Sequence, residues 1–242
     1  PDAIGLLAEA LAVMSHSYGH LPALLLGGIV PGSRRARELY ACCESLFTIY
    51  LAGECIQGGA SLEGGLDGFL SRRSANLRSK WRKSCRRAAD RGVTFERSCP
   101  TDTAEADAVY ARMLAVERRS WKGVGHCGMT ESPAREFYAD MIRRLAVRGT
   151  ARVMFARHED QDIGFIFGGM LGPCYRGQQF SYDAAWKDLS IGNLLQVEQI
   201  RWLCEEGAVR YDMGTASGEP MAYKMHWTEA HPTSQTWFLQ PR

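Results

Sequence analysis

The chain has 242 residues, 45% of them hydrophobic and 23% charged, an ordinary globular composition that excludes a disordered, collagen-like or coiled-coil protein. Its 29 Lys and Arg against 27 Asp and Glu leave a formal charge of +2, so the totals alone do not indicate a nucleic-acid or membrane protein. Eight cysteines without a Cys-x-x-Cys pair are typical of reduced thiols. They predict a cytoplasmic protein without structural zinc or a disulfide framework.

The amino-terminal segment is predicted to alternate between helices and strands. It begins at Pro1 without an initiator Met or a basic lead, so we expect a start within a longer protein and no signal peptide. Its longest apolar run, residues 21–31, is much shorter than the roughly 20 residues that a membrane span needs. The propensities predict a helix over 4–14, a strand over 23–29, a helix over 33–42 and a strand over 46–51. A Gly-rich stretch over 57–68 predicts a linker or lobe boundary.

The strongest charge cluster of the chain lies on a predicted helix over 74–91, which Gly92 ends. Nine Lys or Arg occur from Arg72 to Arg91, opposed only by Asp90. The apolar face of this basic helix consists of Leu77, Trp81, Cys85 and Ala88. The basic face is either a solvated surface over that stripe or a binding surface for an anion. The anion would be an acceptor with a phosphate or carboxylate group, or a tRNA.

From residue 93 onward the pattern predicts a longer series of elements. In order they are a strand over 93–97, helices over 103–119 and 132–148, strands over 151–157, 163–171 and 175–183, a helix over 193–206, a strand over 209–213, a short helix over 220–227 and a strand over 235–239. The loop between the first two helices contains Trp121 and His126. The three central strands follow one another directly and predict an antiparallel meander.

This order of elements resembles the GNAT acyltransferase fold. In GNAT enzymes the loop after the fourth strand holds the pyrophosphate of acyl-CoA on an Arg/Gln-x-x-Gly-x-Gly/Ala motif. The corresponding stretch here, Lys187–Asn193, departs from that motif. It keeps a glycine, Gly192, at a predicted helix start, where backbone amides and the positive helix end favour an anion.

Further motifs resemble one branch of that superfamily, the CelD/BcsL-like acetyltransferases, which are related to the FemX and FemAB peptidyltransferases. The matching stretches are Leu70-Ser71-Arg72-Arg73 through Arg87, Tyr182-Asp183, Leu189-Ser190-Ile191-Gly192-Asn193-Leu194-Leu195, Tyr211-Asp212-Met213-Gly214 and Tyr223-Lys224-Met225-His226-Trp227. The resemblance covers about residues 66–240 and implies an α/β (α+β) GNAT fold, a mixed central sheet flanked by helices.

The FemX branch uses two GNAT lobes in tandem, which implies a domain organisation for this chain. Residues 1–56 are interpreted as the trailing half of a first lobe, because their helix and strand order repeats that of 193–239. Residues 57–92 form a linker and the basic helix, and residues 93–242 form the acyltransferase domain. An unrelated amino-terminal extension is the alternative.

The activity that the resemblance implies is transfer of an acyl group from acyl-CoA (acetyl-CoA or longer) to an amine of a small molecule or peptide. Leu189, Ser190, Ile191, Gly192 and Asn193 would hold the phosphates of the donor. A FemX-like donor, aminoacyl-tRNA, or an acyl carrier protein would keep the fold and change the partner. A nucleic-acid-binding module without catalysis is the alternative from another class.

The same resemblance implies two catalytic residues on the short helix after the penultimate strand. Tyr223 would protonate the departing thiolate, and Lys224 would stabilise the developing oxyanion or a phosphate. A packed aromatic ring and a solvated surface lysine are the structural alternatives.

Two aspartates lie at predicted strand ends. Asp183 would steer or deprotonate the acceptor amine, or else cap its strand. Asp212 lies where the sheet of this fold splays, and would act on the substrate or hold the turn at Gly214. Tyr182, next to Asp183, is a candidate for substrate binding.

The loop residues Trp121 and His126 would line the acceptor side, although loop aromatics often only cover a core. The histidines are too scattered for metal-ligand spacing, so no metal is predicted.

Overall fold

The computed structural model describes residues 3–242 and divides into two compact units. Unit 1 contains the residues up to Gly58 together with Thr215–Tyr223 and Ala230–Arg242. Unit 2 contains Gly59–Gly214 and Lys224–Glu229. Over the described range, none of the helices combines the length and the apolar character that crossing a membrane requires.

Unit 1 is built around a small antiparallel sheet. Its elements are α1 (Ala3–Tyr18), β1 (Leu24–Ile29), α2 (Arg34–Cys43), β2 (Phe47–Ser61) and β8 (Thr233–Pro241). The last strand, β8, pairs antiparallel with both amino-terminal strands, which gives the order β1-β8-β2. Its core is formed by Leu11, Cys43, Phe47 and Leu239. All four elements predicted for residues 4–51 are confirmed.

The expected linker at 57–68 is not a linker in the structure. β2 continues through this stretch to Ser61, and α3 (Gly65–Ser71) begins soon after. The strand pairs with β8 as far as Ile56, the Gln57 amide donates to the Pro232 carbonyl, and the Gly59 carbonyl accepts from the Glu229 amide, so non-local backbone hydrogen bonds hold a stretch of low strand propensity. One division between the packing units, after Gly58, lies within the boundary predicted at 57–68, whereas no division lies at 92, and β8 returns to the amino-terminal strands. The assignment of 1–56 to a first lobe stays a prediction.

Unit 2 contains a five-stranded mixed sheet in the order β7-β6-β5-β4-β3. Its strands are β3 (Val93–Ser98), β4 (Ala151–His158), β5 (Gln161–Leu171), β6 (Cys174–Tyr182) and β7 (Arg210–Thr215). Its longer helices are α4 (Ala75–Asp90), α5 (Thr103–Arg119), α7 (Ala134–Val147) and α8 (Ile191–Glu205), with a short α6 (Trp121–Val124) and 3₁₀ helices at Ala184–Leu189 and Glu219–His226. The last of these begins in unit 1 and ends in unit 2. The pairs are antiparallel except β6 with β7, which is parallel.

Helices cover both faces of this sheet. Along β4, Val153 and Phe155 contribute to a core with α5 and α7, whereas Met154 and Ala156 contribute to a second core with α4 and α8. The basic helix α4 packs through its predicted face, with Ala88 buried and Trp81 and Cys85 partly buried. A mixed sheet between helices is the predicted fold class, and it is confirmed.

β6 and β7 part after three residue pairs. Among the described residues, their pairing ends at Arg176 opposite Asp212, while β6 continues to Tyr182. The register with β5 shifts at the same place, because Phe167 faces Gln179 but Gly168 faces Gly177, which leaves Gln178 as an extra residue. A bulge of this kind bends a strand and is common beside active sites. We call the diverging segments, Gly177–Tyr182 and Met213–Gly214, the β6–β7 split.

Candidate active site

The donor-binding residues predicted at 189–193 lie in the 183–193 loop, which runs from the end of β6 into α8. It consists of a 3₁₀ helix at Ala184–Leu189, then Ser190 with φ of 58° and ψ of 39°, then the first turn of α8. The first amides of an α-helix have no partner within the helix and lie at its positive end. Leu189 and Ile191 point into the core, whereas Asn193 is exposed. A ligand would therefore meet the backbone of the 183–193 loop and the Asn193 side chain.

Gly192 has a packing role in addition to its predicted one. A Cβ built there would lie 3.1 Å from ring atoms of both Phe180 and Tyr182. Glycine therefore allows the start of α8 to approach β6 closely, and the Tyr182 ring is part of that contact. The predicted binding roles of Gly192 and Tyr182 stay predictions.

The carboxyl-terminal half of the basic helix contacts this loop. The Arg87 guanidinium donates to the Asp188 carbonyl at 2.9 Å. The Arg91 guanidinium lies 5.6 Å from the ring centroid of Trp186. Lys187, in the same 3₁₀ helix, is exposed. Cationic side chains thus lie beside the amino-terminal end of α8, a contact that joins segments about one hundred residues apart.

The amino-terminal half of the basic helix borders a groove of about 380 Å³. Arg72, Arg73 and Lys80 line one part, and Met225 and Glu229 line another. Met225 directly follows Lys224, so the groove reaches the segment that carries the predicted catalytic lysine.

Lys224 lies at the β6–β7 split. Its Nζ donates to the Met213 carbonyl at 2.7 Å, one residue beyond the last β6–β7 pair. Burial is the main cause that lowers the pKa of Lys224 to about 8, and the nearby charges of Arg176 and Lys122 add to it while Asp212 opposes it. Lys224 is therefore a half-buried group in a cationic environment, and not the solvated lysine of the structural alternative.

Asp212 and Asp183 are each engaged by protein groups. Asp212 accepts from Arg176 at 2.7 Å and from the Gly214 amide at 2.9 Å. Asp183 accepts from Arg119 at 2.7 Å and from the Ala185 amide at 3.0 Å. The turn-holding and capping geometries that the sequence left open are both present, and the catalytic roles remain predictions.

Tyr223 belongs to unit 1, whereas Lys224 belongs to unit 2. Burial raises the pKa of Tyr223 to about 12. Its hydroxyl therefore keeps its proton across the physiological range, as a proton donor must.

The loop between α5 and α7 presents a different residue from the two predicted. The Trp121 residue is 61% exposed and the His126 side chain 86% exposed, with His126 3.8 Å from a Glu131 oxygen. Between them, Lys122 Nζ donates to Gln179 Oε1 and to the Phe180 carbonyl, both at 2.9 Å. Sequence reasoning missed Lys122, because only the fold shows that this loop meets β6.

The structure therefore brings Lys224, Asp212 and the unpredicted Lys122 to the split, and places Asp183 where β6 enters the 183–193 loop. Among the side chains that the structure describes, no group of three or more His, Cys, Asp or Glu is arranged to hold a metal ion.

Residues 72–225 match the family described as an acetyltransferase (GNAT) domain. This match spans more than half of the chain, so the chain belongs to that family and is a GNAT acyltransferase. The family expected from the motifs is confirmed. No curated protein matches the sequence.

Solved structures with the same fold cover nearly all of the chain. FemX is similar with a TM-score of 0.67 and 12% identity over 100% of this chain and 77% of that one. L-PGS from Bacillus licheniformis is similar with a TM-score of 0.62 and 13% identity, covering 96% and 71%. A tandem GNAT protein from the clavulanic acid biosynthesis pathway, without AcCoA, has a TM-score of 0.56 and 12% identity, covering 98% and 69%. At these identities the likeness shows the fold.

Proposed function

We propose that this GNAT acyltransferase moves an acyl group from an acyl-CoA thioester to an amine of a small molecule or peptide. The observation that carries the proposal is that one compact unit holds both the amino-terminal end of α8, flanked by Arg87 and Lys187, and a half-buried lysine at the split of its sheet. The first feature suits the diphosphate of a donor, and the second suits the charge that forms during acyl transfer.

The donor is proposed to lie on the 183–193 loop. The first-turn amides of α8, at Ile191 and Gly192, would hold its pyrophosphate, and Lys187 would add a positive charge from the same loop. Arg87 positions the loop by its contact with Asp188. Leu189, Ser190 and Asn193 would complete the contact, Asn193 through its exposed side chain, because the Ser190 and Asn193 amides already donate to the Lys187 and Ser190 carbonyls.

In the chemical step, the amine nitrogen attacks the thioester carbonyl, the new C–N bond forms and the C–S bond breaks. The Lys224 ammonium would stabilise the oxyanion, because a fixed charge in a partly dehydrated site acts strongly on charge formed beside it. Asp183, or a water next to it, would take the proton of the amine. Tyr223 would give a proton to the departing thiolate. No covalent enzyme intermediate is needed, so the cysteines have no chemical role here.

An aminoacyl-tRNA or an acyl carrier protein is the second candidate donor. It is favoured by the exposed basic residues of α4, which include Arg82 and Arg86 and lie on the helix that contacts the 183–193 loop. Phosphate contacts to such residues would make the affinity strongly salt-dependent.

The acceptor is proposed to contact the loop between α5 and α7. The side chains of Trp121 and His126 are exposed there and available to a bulky acceptor.

The remaining proposals concern organisation and location. We propose that residues 1–56 come from a first GNAT-like lobe, which is supported by the full coverage of this chain by FemX. The cysteine pattern supports a cytoplasmic location.

Calorimetry at several salt concentrations tests the choice of donor. We expect micromolar or tighter binding of a CoA thioester, with binding lost when CoA is replaced by its dephosphorylated pantetheine fragment. Tight tRNA binding without any CoA binding would instead favour the second candidate. Binding of RNA with no acyl transfer from any donor would favour a catalytically idle module.

A further inference from the structure

Lys122 is a half-buried ammonium group that is held by neutral groups. Its Nζ donates to Gln179 Oε1 and to the Phe180 carbonyl, and Gln179 Nε2 in turn donates to the Tyr138 hydroxyl at 2.7 Å. No carboxylate among the described residues lies within 4.0 Å of this nitrogen. An ammonium has three donors, and these two carbonyl oxygens take two of them. Its charge is therefore not neutralised by a direct ion pair.

The location of Lys122 matches that of Lys224 on the other side of the split. Phe180 and Gln179 lie on β6 beyond the last residue that pairs with β7, and Met213, which accepts from Lys224, lies on β7 beyond its last pair. Lys122 thus donates to β6 and Lys224 donates to β7, each beyond the point where the two strands diverge. They are close enough for the charge of Lys122 to be one cause of the lowered pKa of Lys224.

Arg176, Asp212 and Glu117 are the other charged groups that act on these two lysines. Arg176 is paired with Asp212 at 2.7 Å. The Glu117 carboxyl is fully buried, accepts from the Met129 amide and lies against Gly128, although its charge acts on Lys122 at longer range. Burial lowers the pKa of Lys122, which shows that the ammonium is partly dehydrated and that an anion beside it would be favourable.

We propose that Lys122 binds a carboxylate or phosphate group of the acceptor, and that the enzyme therefore selects amines that carry such a group. The anion would take the third donor of Lys122, and the amine would extend from there towards Lys224. This inference rests on the proposed acyl transfer to an amine. It names Lys122 as a specificity residue and an anionic amine, such as an amino acid or an amino alcohol phosphate, as the substrate class.

Matched acceptor pairs test the proposal. Amino acids are compared with their amides, and phosphoethanolamine with ethanolamine, using wild type, Lys122→Met, Lys122→Arg and Arg144→Met as a control for loss of an exposed positive charge. We expect Lys122→Met to raise the KM of the anionic acceptors at least about tenfold and to leave the neutral acceptors within twofold. Lys122→Arg should restore part of the preference, and Arg144→Met should change nothing. The better of the two anionic series identifies the carboxylate or the phosphate.

Two outcomes would overturn the proposal. One is equal use of anionic and neutral acceptors by the wild type. The other is an equal loss for both kinds in Lys122→Met with a lower Tm, because that pattern is expected if Lys122 only ties its loop to β6.

Binding without turnover separates this proposal from the proposed function. Saturation-transfer NMR with the same acceptor pairs needs no donor. If wild type binds the anionic members better and Lys122→Met does not, the anion site stands even when no CoA thioester supports transfer. If neither protein distinguishes the pairs while acyl transfer proceeds, the proposed function stands and the anion site is wrong.

Discussion

The 183–193 loop and the β6–β7 split are built in different ways. The loop is one continuous stretch, a 3₁₀ helix followed by a helix start, and the groups proposed to bind the donor belong mainly to its backbone. The split gathers side chains from three distant segments, with Lys122 from α6, Arg176 from β6 and Lys224 from the segment after β7. The loop lies within one motif of the sequence, whereas the split combines two residues from separate motifs, Asp212 and Lys224, with Lys122, which no motif marked. Variants that change the backbone at the loop and the side chains at the split therefore test different parts of the account.

The largest effect is expected at the split. Lys224→Met should lower kcat roughly 10²- to 10³-fold, because it removes the charge that would face the oxyanion. Its Tm at pH 7 should not fall, since burial and neighbouring cations disfavour the charged form of this lysine in the fold. Single-turnover transfer beside thermal unfolding checks both, with Lys224→Arg as the control that keeps the charge. A loss of Tm with unchanged turnover per folded molecule would make Lys224 a structural residue.

A somewhat smaller effect is expected for the proton donor. Tyr223→Phe should lower kcat roughly 10²-fold with little change in donor affinity, because only the hydroxyl that protonates the thiolate is lost. A donor with a thiol of low pKa should recover most of the loss, since that thiolate leaves without protonation. An equal loss with both donors, or only a lower Tm, would remove Tyr223 from the catalytic residues.

At the 183–193 loop, a negative charge introduced at Gly192 tests whether the backbone amides bind the donor. Gly192→Glu and Gly192→Ala add the same Cβ against the rings of Phe180 and Tyr182, but only glutamate adds negative charge at the helix start. Donor affinity should therefore be lower in Gly192→Glu than in Gly192→Ala by on the order of 1 kcal/mol, about fivefold. Calorimetry with a CoA thioester measures the difference. Equal affinities would show that Gly192 serves packing alone.

The basic helix should contribute only a few-fold if the donor is a CoA thioester. Charge reversal at Arg82 and Arg86 leaves the hydrogen bond from Arg87 to the Asp188 carbonyl intact, so the 183–193 loop keeps its position. We expect a two- to fivefold weaker donor affinity that vanishes at high salt, because exposed charges are screened. Reversal of the exposed Arg144 and Arg148 on the other face of the sheet is the matched control. A loss of several orders of magnitude in RNA binding, confined to the α4 variant, would favour the tRNA donor.

The last effect concerns stability, and it is a dependence on pH. The folded protein releases the Lys224 proton near pH 8, whereas the unfolded chain holds it to the ordinary lysine pKa of 10.5. The unfolded state thus binds more protons between these values, and this group makes the fold more stable as pH rises from 8 to 10.5. Denaturant unfolding of wild type should gain stability relative to Lys224→Met over that range. Parallel pH profiles would mean that the pKa of Lys224 is not lowered.

The fold was predictable to the extent that its signals are local. Apolar periodicity marked the helices, the meander and the Trp81 and Cys85 face of α4, and all of these are confirmed. The linker expected at 57–68 is wrong for its first residues, because Gly58 and Gly59 lie in β2, a strand that pairs through Ile56 with β8 about 180 residues away. Lys122 was missed for the same reason, because its partners on β6 are nearly sixty residues distant. Side-chain contacts across such separations follow from the topology, which local pattern does not encode.

The central claim is that this enzyme transfers an acyl group from a CoA thioester to an amine. A single-turnover experiment tests it most directly. Acetyl-CoA with an isotopically labelled acetyl group is mixed with excess enzyme and a pool of amines, and every product is followed by mass spectrometry. The account predicts one labelled amide and one free CoA thiol per donor consumed, with no label retained on the protein and a much slower reaction in Lys224→Met. Label held on a cysteine, or transfer that occurs only from aminoacyl-tRNA, would contradict it.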